Sequence, residues 1–184
     1  MSVVRSSPWP YRWRQSVGWW HSRRFSGVPG PSSVTAVTKF LLAVHVLAAI
    51  VAVGPVTVAA SMFPPVARRA LAAPGDPGAA GTTLDLLHRI CRVYALVGVV
   101  VPVFGFATAS RMGVLGSGWL ITSIVLTALA AVVLGALVLP GQSAVVEGRG
   151  TDTVRLAMLT GVFNLLWAAV TVLMIVRPGS TTGA

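Results

Sequence analysis

The chain has 184 residues, of which 55% are hydrophobic and only 10% charged, and its mean hydropathy is +0.82. This composition excludes an ordinary soluble domain, and the length leaves no room for a second domain of normal size. The formal net charge is +10, but the basic residues lie beside apolar runs, where Lys and Arg usually set membrane topology. No motif that reads RNA or DNA accompanies them, so we expect no nucleic-acid partner.

The first 36 residues differ in composition from everything that follows. They hold four of the six tryptophans and five arginines, and they contain no acidic residue. Three interpretations stay open: an arm that lies on anionic lipid, a disordered tail, or a stretch that is not made because translation starts at Val34 or Val37. We divide the chain into this basic arm (1–36), a membrane domain (37–177) and a disordered tail (178–184).

Four apolar runs make up most of the membrane domain, at about 40–60, 93–109, 120–139 and 156–176, and none of them contains Asp, Glu, Lys or Arg. A spanning helix needs about 20 mostly apolar residues to cross about 30 Å of hydrocarbon. The sequence therefore predicts an all-α, polytopic membrane protein. Its fold is a bundle of four transmembrane helices whose immediate partner is the lipid bilayer.

The first run also has some features of a signal peptide. Gly54-Pro55 interrupts it, and small residues follow in a pattern that suits cleavage near Ser61. The apolar character nevertheless continues through residue 60, which gives a full spanning length. Cleavage stays an alternative, which the intact mass of the protein would test.

His45 is the one side chain in the four runs that titrates near neutral pH. An ionisable residue inside a membrane indicates a functional site by default. The alternative is a neutral imidazole that forms a hydrogen bond across the bundle. His88 and Cys91 share a helix face at positions i and i+3, but two residues do not complete a metal site, which favours an interfacial histidine and a buried thiol.

Prolines lie inside the predicted helices and at their ends. Pro55 and Pro102 lie inside the first two runs, and each removes a backbone donor and can kink its helix. Pro64-Pro65 is expected to end or bend the first helix, and Pro140 to open the loop after the third run.

Two segments carry helix-start signals. Thr82 and Asp85 match a capping box, which predicts that the second helix starts well before the membrane. Thr151 or Asp152 can cap the fourth helix.

Small and polar residues predict how the helices pack. Ser123, Thr127, Ala131 and Gly135 repeat every four residues along the third run, which suits close helix approach. Asn164 lies near the middle of the membrane, where an unpaired amide is costly, so it should face another helix. We interpret it as structural.

The distribution of basic residues leaves the orientation open. With the arm included, eight Lys and Arg residues lie on the side of the N-terminus and six on the other, so the positive-inside rule places the N-terminus in the cytoplasm. Without the arm the first number falls to three, and the predicted orientation reverses.

The stretch KFLLAVHVLAAIVAVGP, from Lys39 to Pro55, resembles the opening of an uncharacterised bacterial family of small integral membrane proteins, and this resemblance extends to about residue 177. More distantly, His45 followed by Gly54 looks like the first-helix motif of copper-resistance D-type proteins and of the membrane haem-synthesis oxidases. In those families the histidine is linked to copper or haem. The tryptophan usual two residues before the glycine is Ala52 here.

These observations predict a non-enzymatic subunit or scaffold of the bacterial cytoplasmic membrane. It would associate with a second copy or with another membrane protein through the small residues of the third run. The alternative is a haem- or copper-handling membrane protein in which His45 is a ligand.

Overall fold

The computed structural model describes residues 31–72, 77–150 and 152–180. Backbone contacts divide the chain into two units, Met1–Thr35 and Ala36–Ala184, and the packing described below is that of the second unit. The arm predicted for 1–36 lies outside the described residues up to residue 30, and its remainder is helical. The end of the predicted tail, 181–184, also lies outside them.

The described residues form helices and no strand. The elements in chain order are α1 (Pro31–Ala72), α2 (Pro77–Val97), α3 (Val100–Met112), α4 (Gly118–Val132), a π-helical turn (Val133–Val138), α5 (Leu139–Val146) and α6 (Thr153–Val176).

Four stretches within the described residues are long and apolar enough to cross a membrane: Thr35–Ala72, Gly78–Met112, Gly118–Val146 and Thr153–Val176. We call them spans one to four. The protein is therefore a multi-pass membrane protein with an all-α, four-helix bundle, as the sequence predicted.

Span one is a single helix that continues past its prolines. Pro64-Pro65 was predicted to end or bend the helix: the ending is wrong, because α1 runs on to Ala72, and the bend stays a prediction. The side chains of Phe63, Pro64 and Ala67 are buried in the bundle, so packing offsets the two backbone hydrogen bonds that the prolines remove.

Span two is interrupted where Pro102 predicts a kink. Its two helices, α2 and α3, are separated by a turn at Gly98 and Val99, where Val99 N–H donates to the carbonyl of Leu96. Proline has no N–H, and its ring collides with the carbonyl four residues earlier, which here belongs to Gly98. Pro55, in contrast, lies within the continuous helix α1.

Span two starts well before its apolar run, as predicted, but it does not start at the predicted cap. The helix begins at Pro77, and the Thr82 hydroxyl donates to the carbonyl of Gly78 within it, at 2.8 Å. Thr82 is therefore an interior residue, and the predicted capping box with Asp85 is wrong. Proline at a first helical position costs little, because the N–H that it lacks would have no partner there.

Span three also continues beyond its predicted end. The π-helical turn leads into α5, so Pro140 lies in a helix and not at the start of a loop. Leu134, Val138 and Gln142 are buried at intervals of four residues. An α-helix would rotate each by about 40° relative to the last. The wider π turn reduces that rotation and keeps all three facing the bundle.

Span four starts with a side-chain cap. The carboxylate of Asp152 accepts hydrogen bonds from the backbone N–H groups of Val154 and Arg155, at 2.9 and 3.2 Å. The prediction of a cap at this position is thus confirmed for Asp152, while Thr151 lies outside the described residues.

The main core of the bundle lies towards one membrane face. Its buried members come from the end of α1, the start of α2, span three and the start of α6; the largest include Phe63, Leu87, Leu134, Leu156 and Phe163. A second, smaller core at the opposite face centres on Trp119 and Leu120. The side chain of Arg177 lies over the Trp119 ring, 5.6 Å from its centroid.

Candidate functional site

His45 joins span one to the break in span two. Its Nδ1 lies 2.8 Å from the backbone carbonyl oxygen of Val101, next to Pro102. A carbonyl can only accept a hydrogen bond, so Nδ1 carries the proton and the imidazole is the donor. In a neutral ring the other nitrogen, Nε2, then has a free lone pair. This arrangement is the cross-bundle hydrogen bond that the sequence offered as one interpretation of His45.

Gly105 provides the room for this imidazole. A Cβ at Gly105 would lie 2.9 Å from His45 Cε1 and 3.1 Å from Nδ1, closer than side chains tolerate. The ring therefore packs directly on the backbone of α3. Of the two elements that hold His45, the sequence indicated the break at Pro102 but not the contact at Gly105.

A buried polar cluster joins span two to α5. His88 Nδ1 lies 3.2 Å from Gln142 Oε1, and Gln142 Nε2 donates to Cys91 Sγ at 3.6 Å. Gln142 and Cys91 are fully buried, and His88 is 8% exposed. His88 is thus buried within the bundle, and its predicted location at the membrane interface stays a prediction. The predicted burial of the Cys91 thiol is confirmed. The side-chain amide of Gln142 thus forms hydrogen bonds with both His88 and Cys91, which indicates that the cluster holds the two helices together.

Sequence reasoning missed Gln142, the residue that completes this cluster. It follows Pro140-Gly141, a dipeptide typical of a loop, and lies beyond the predicted end of the third run. The signal that could have found it is its spacing of four residues from the apolar position 138 and of eight from 134. A cavity of about 320 Å³ lies beside the cluster and is lined by Asp85, His88, Arg89, Arg92, Val93 and Leu96.

Asn164 contacts another helix. Its Nδ2 donates to the Ser61 hydroxyl oxygen of α1 at 3.0 Å, while its Oδ1 is buried without a hydrogen-bond partner among the described residues. The Thr160 hydroxyl, one turn earlier in α6, is also buried without a hydrogen-bond partner among the described residues. Both residues line a cavity of about 280 Å³ between spans one and four.

The small residues of span three separate into two groups. Ser123 is fully buried and Thr127 half-buried, and each hydroxyl donates to the carbonyl four residues earlier in its own helix. Ala131 and Gly135 are exposed on the outside of the bundle. A Cβ at Gly135 would meet no heavy atom within 4 Å, so this part of the span is open to another molecule.

The cofactor prediction concerns His45 alone. Within the described residues no three His, Cys, Asp or Glu side chains lie close enough together to hold a metal ion. His45 fits such a group as one ligand, since a metal-binding histidine usually donates its other ring N–H to a carbonyl or carboxylate.

Searches of known protein families, curated proteins and solved structures find no match to this chain. The resemblance to small bacterial membrane proteins and to copper-resistance D-type proteins therefore stays a prediction.

Proposed function

We propose that the chain is a non-enzymatic subunit of the bacterial cytoplasmic membrane that self-associates through the outward-facing small residues of span three. The observation that carries the proposal is the exposure of Ala131 and Gly135, one helical turn apart, on an open surface. Pairs of small residues at this spacing let two membrane helices approach closely, and close packing drives helix association in lipid. The bacterial membrane is part of the proposal because the sequence resembles proteins of that membrane.

The polar groups within the spans support a structural role for the bundle. His45, Asn164 and Gln142 each form a hydrogen bond to a different helix. Such bonds fix the rotation of helices that gain little from apolar contact in lipid. A bundle held in one arrangement presents its outer small-residue surface in a constant geometry.

The test is energy transfer between differently labelled copies in lipid vesicles. Replacing both Ala131 and Gly135 by Leu should weaken self-association about tenfold or more, because the larger side chains hold the helices apart. Ala169→Leu is the matched control: Ala169 is also exposed, but on span four. Absence of energy transfer in the unmodified protein, or its persistence in the double variant, would contradict the proposal.

A second candidate function is binding of haem or copper by His45. The observation in its favour is the hydrogen bond from Nδ1 to the Val101 carbonyl, which leaves Nε2 as the ligand nitrogen. An absorbance spectrum and metal analysis of the detergent-purified protein test it. A haem or copper signal that disappears in His45→Ala supports this function. Protein that contains neither group, and takes up neither when it is added, rejects it.

A further inference from the structure

The cavity between spans one and four combines a cation with unpaired polar groups. Its lining residues are Ser61, Pro64, Pro65, Arg68, Ala157, Thr160, Gly161 and Asn164. Its volume, about 280 Å³, is close to the lower end of small-molecule pockets, about 300 Å³. The cavity is thus of a size for a small polar group and not for a large cofactor.

The inner part of the cavity lacks hydrogen-bond partners. Thr160 is only 3% exposed, and neither its hydroxyl nor Asn164 Oδ1 has a partner among the described residues. A buried polar group without a hydrogen-bond partner destabilises the protein, so a ligand that pairs with these atoms is favoured.

These inner groups select for hydroxyls. Asn164 Oδ1 can only accept hydrogen bonds, whereas the Thr160 hydroxyl can both donate and accept. One ligand hydroxyl can donate to Asn164 Oδ1, and a second can exchange hydrogen bonds with the Thr160 hydroxyl. An apolar acyl chain satisfies none of them.

The outer part of the cavity selects for an anion. Arg68 lies two helical turns after Ser61 on α1, about 10 Å further along the helix axis. Its side chain is exposed and makes no hydrogen bond or ion pair within the described residues. Arginine pairs well with phosphate, and basic pockets between membrane helices are known to hold anionic lipid headgroups.

We propose that this cavity binds a glycerophosphate group, whose phosphate pairs with Arg68 and whose hydroxyls bond to Thr160 and Asn164. The group is supplied by a phospholipid with a glycerol headgroup or by free glycerol phosphate. The site uses none of the exposed residues of span three, so it is separate from the proposed self-association.

The test compares ligands by native mass spectrometry and thermal unfolding of the detergent-purified full chain. Phosphatidylglycerol should bind and raise the melting temperature more than phosphatidylcholine, which lacks headgroup hydroxyls and net charge. It should also exceed phosphatidic acid, which has the phosphate without the glycerol headgroup. Free glycerol 3-phosphate identifies the source: a response to it assigns a soluble ligand, and a response to the lipid alone assigns a headgroup.

Substitutions of the lining residues test whether the ligand binds in this cavity. Arg68→Gln and Thr160→Val should each weaken phosphatidylglycerol binding about tenfold, the effect of one lost hydrogen bond to a charged or buried group. Arg69→Gln is the matched control, because Arg69 is exposed on the same helix and does not line the cavity. Circular dichroism establishes that each variant is folded.

Three outcomes would overturn the proposal. The first is equal binding of all the phospholipids together with no response to free glycerol 3-phosphate, which means that the cavity does not recognise a glycerophosphate group. The second is equal weakening by Arg68→Gln and Arg69→Gln, which means general surface attraction. The third is undiminished binding by a folded Thr160→Val protein.

Discussion

Gln142 Oε1 lies 3.2 Å from His88 Nδ1, in the buried contact between α5 and α2. The amide also donates to Cys91 through Nε2, so one side chain connects two groups on the neighbouring helix. Substitution of Gln142 should therefore change both the stability of the bundle and the reactivity of the Cys91 thiol.

Gln142→Leu should destabilise the bundle by about 1–3 kcal/mol, because it leaves the ring nitrogen of His88 buried without its partner. The measurement is unfolding in mixed micelles. Ser143→Ala is the control: Ser143 is the next residue, and its hydroxyl bonds only within its own turn, to the carbonyl of Pro140. We expect its effect to be below about 0.5 kcal/mol, as for other substitutions outside the core.

A double-mutant cycle distinguishes the hydrogen bond from a loss of packing. Removing His88 and Gln142 together, as His88→Leu with Gln142→Leu, should cost less than the sum of the two single changes, by about 0.5–3 kcal/mol. Additive costs would show that the two side chains do not stabilise each other.

Cys91 should resist a membrane-permeant maleimide while the protein is folded. Its side chain is fully buried and accepts a hydrogen bond from Gln142, so the reagent has no access to the sulfur. Labelling should become complete in SDS, and Gln142→Ala should increase its rate in the native protein. The measurement is the labelled fraction against time, by mass.

The control for this reaction is a second thiol at Ala79, an exposed position in the first turn of α2. In the variant Ala79→Cys one label should appear rapidly and the second only after denaturation. Rapid double labelling of the folded protein would contradict the burial of Cys91.

Gly105→Ala should destabilise the contact between α1 and α3. The added methyl would lie 2.9 Å from His45 Cε1, so the imidazole must move and its bond to Val101 must lengthen. We expect a loss of about 1–3 kcal/mol, typical of overpacking, measured by thermal unfolding in detergent.

Two further variants separate this clash from a general effect of replacing glycine. His45→Ala should abolish most of the cost of Gly105→Ala, because it removes the ring that the methyl meets. Gly54→Ala, in the same helix as His45, should be neutral or slightly stabilising, since a Cβ there meets nothing within 4 Å. A cost for Gly105→Ala that persists without the imidazole would show that the contact is not its cause.

The four spans could be predicted from the sequence because each run is free of charge and close to 20 residues long. The break at Pro102 and the cap at Asp152 were also predictable, since each follows from the backbone chemistry of one residue. The continuation of α1 past Pro64-Pro65 and of span three past Pro140 was not. In both places tertiary packing overrides a local signal that normally ends a helix.

The candidate sites, too, could be predicted from the sequence only in part. The sequence singled out His45 and Asn164, because a polar residue inside an apolar run is costly without a partner. It did not indicate which atoms those partners are, nor that Gln142 belongs to the bundle. It also gave no sign of the cavity that Thr160 lines.

The sequence by itself determined that the chain crosses a membrane as helices, because a backbone in lipid must satisfy its hydrogen bonds within each span. The tertiary structure alone decided which polar groups meet, as in the bond from His45 to Val101 and the contact between His88 and Gln142. These contacts depend on the rotation of each helix about its axis. The spacing of residues along the chain does not specify that rotation.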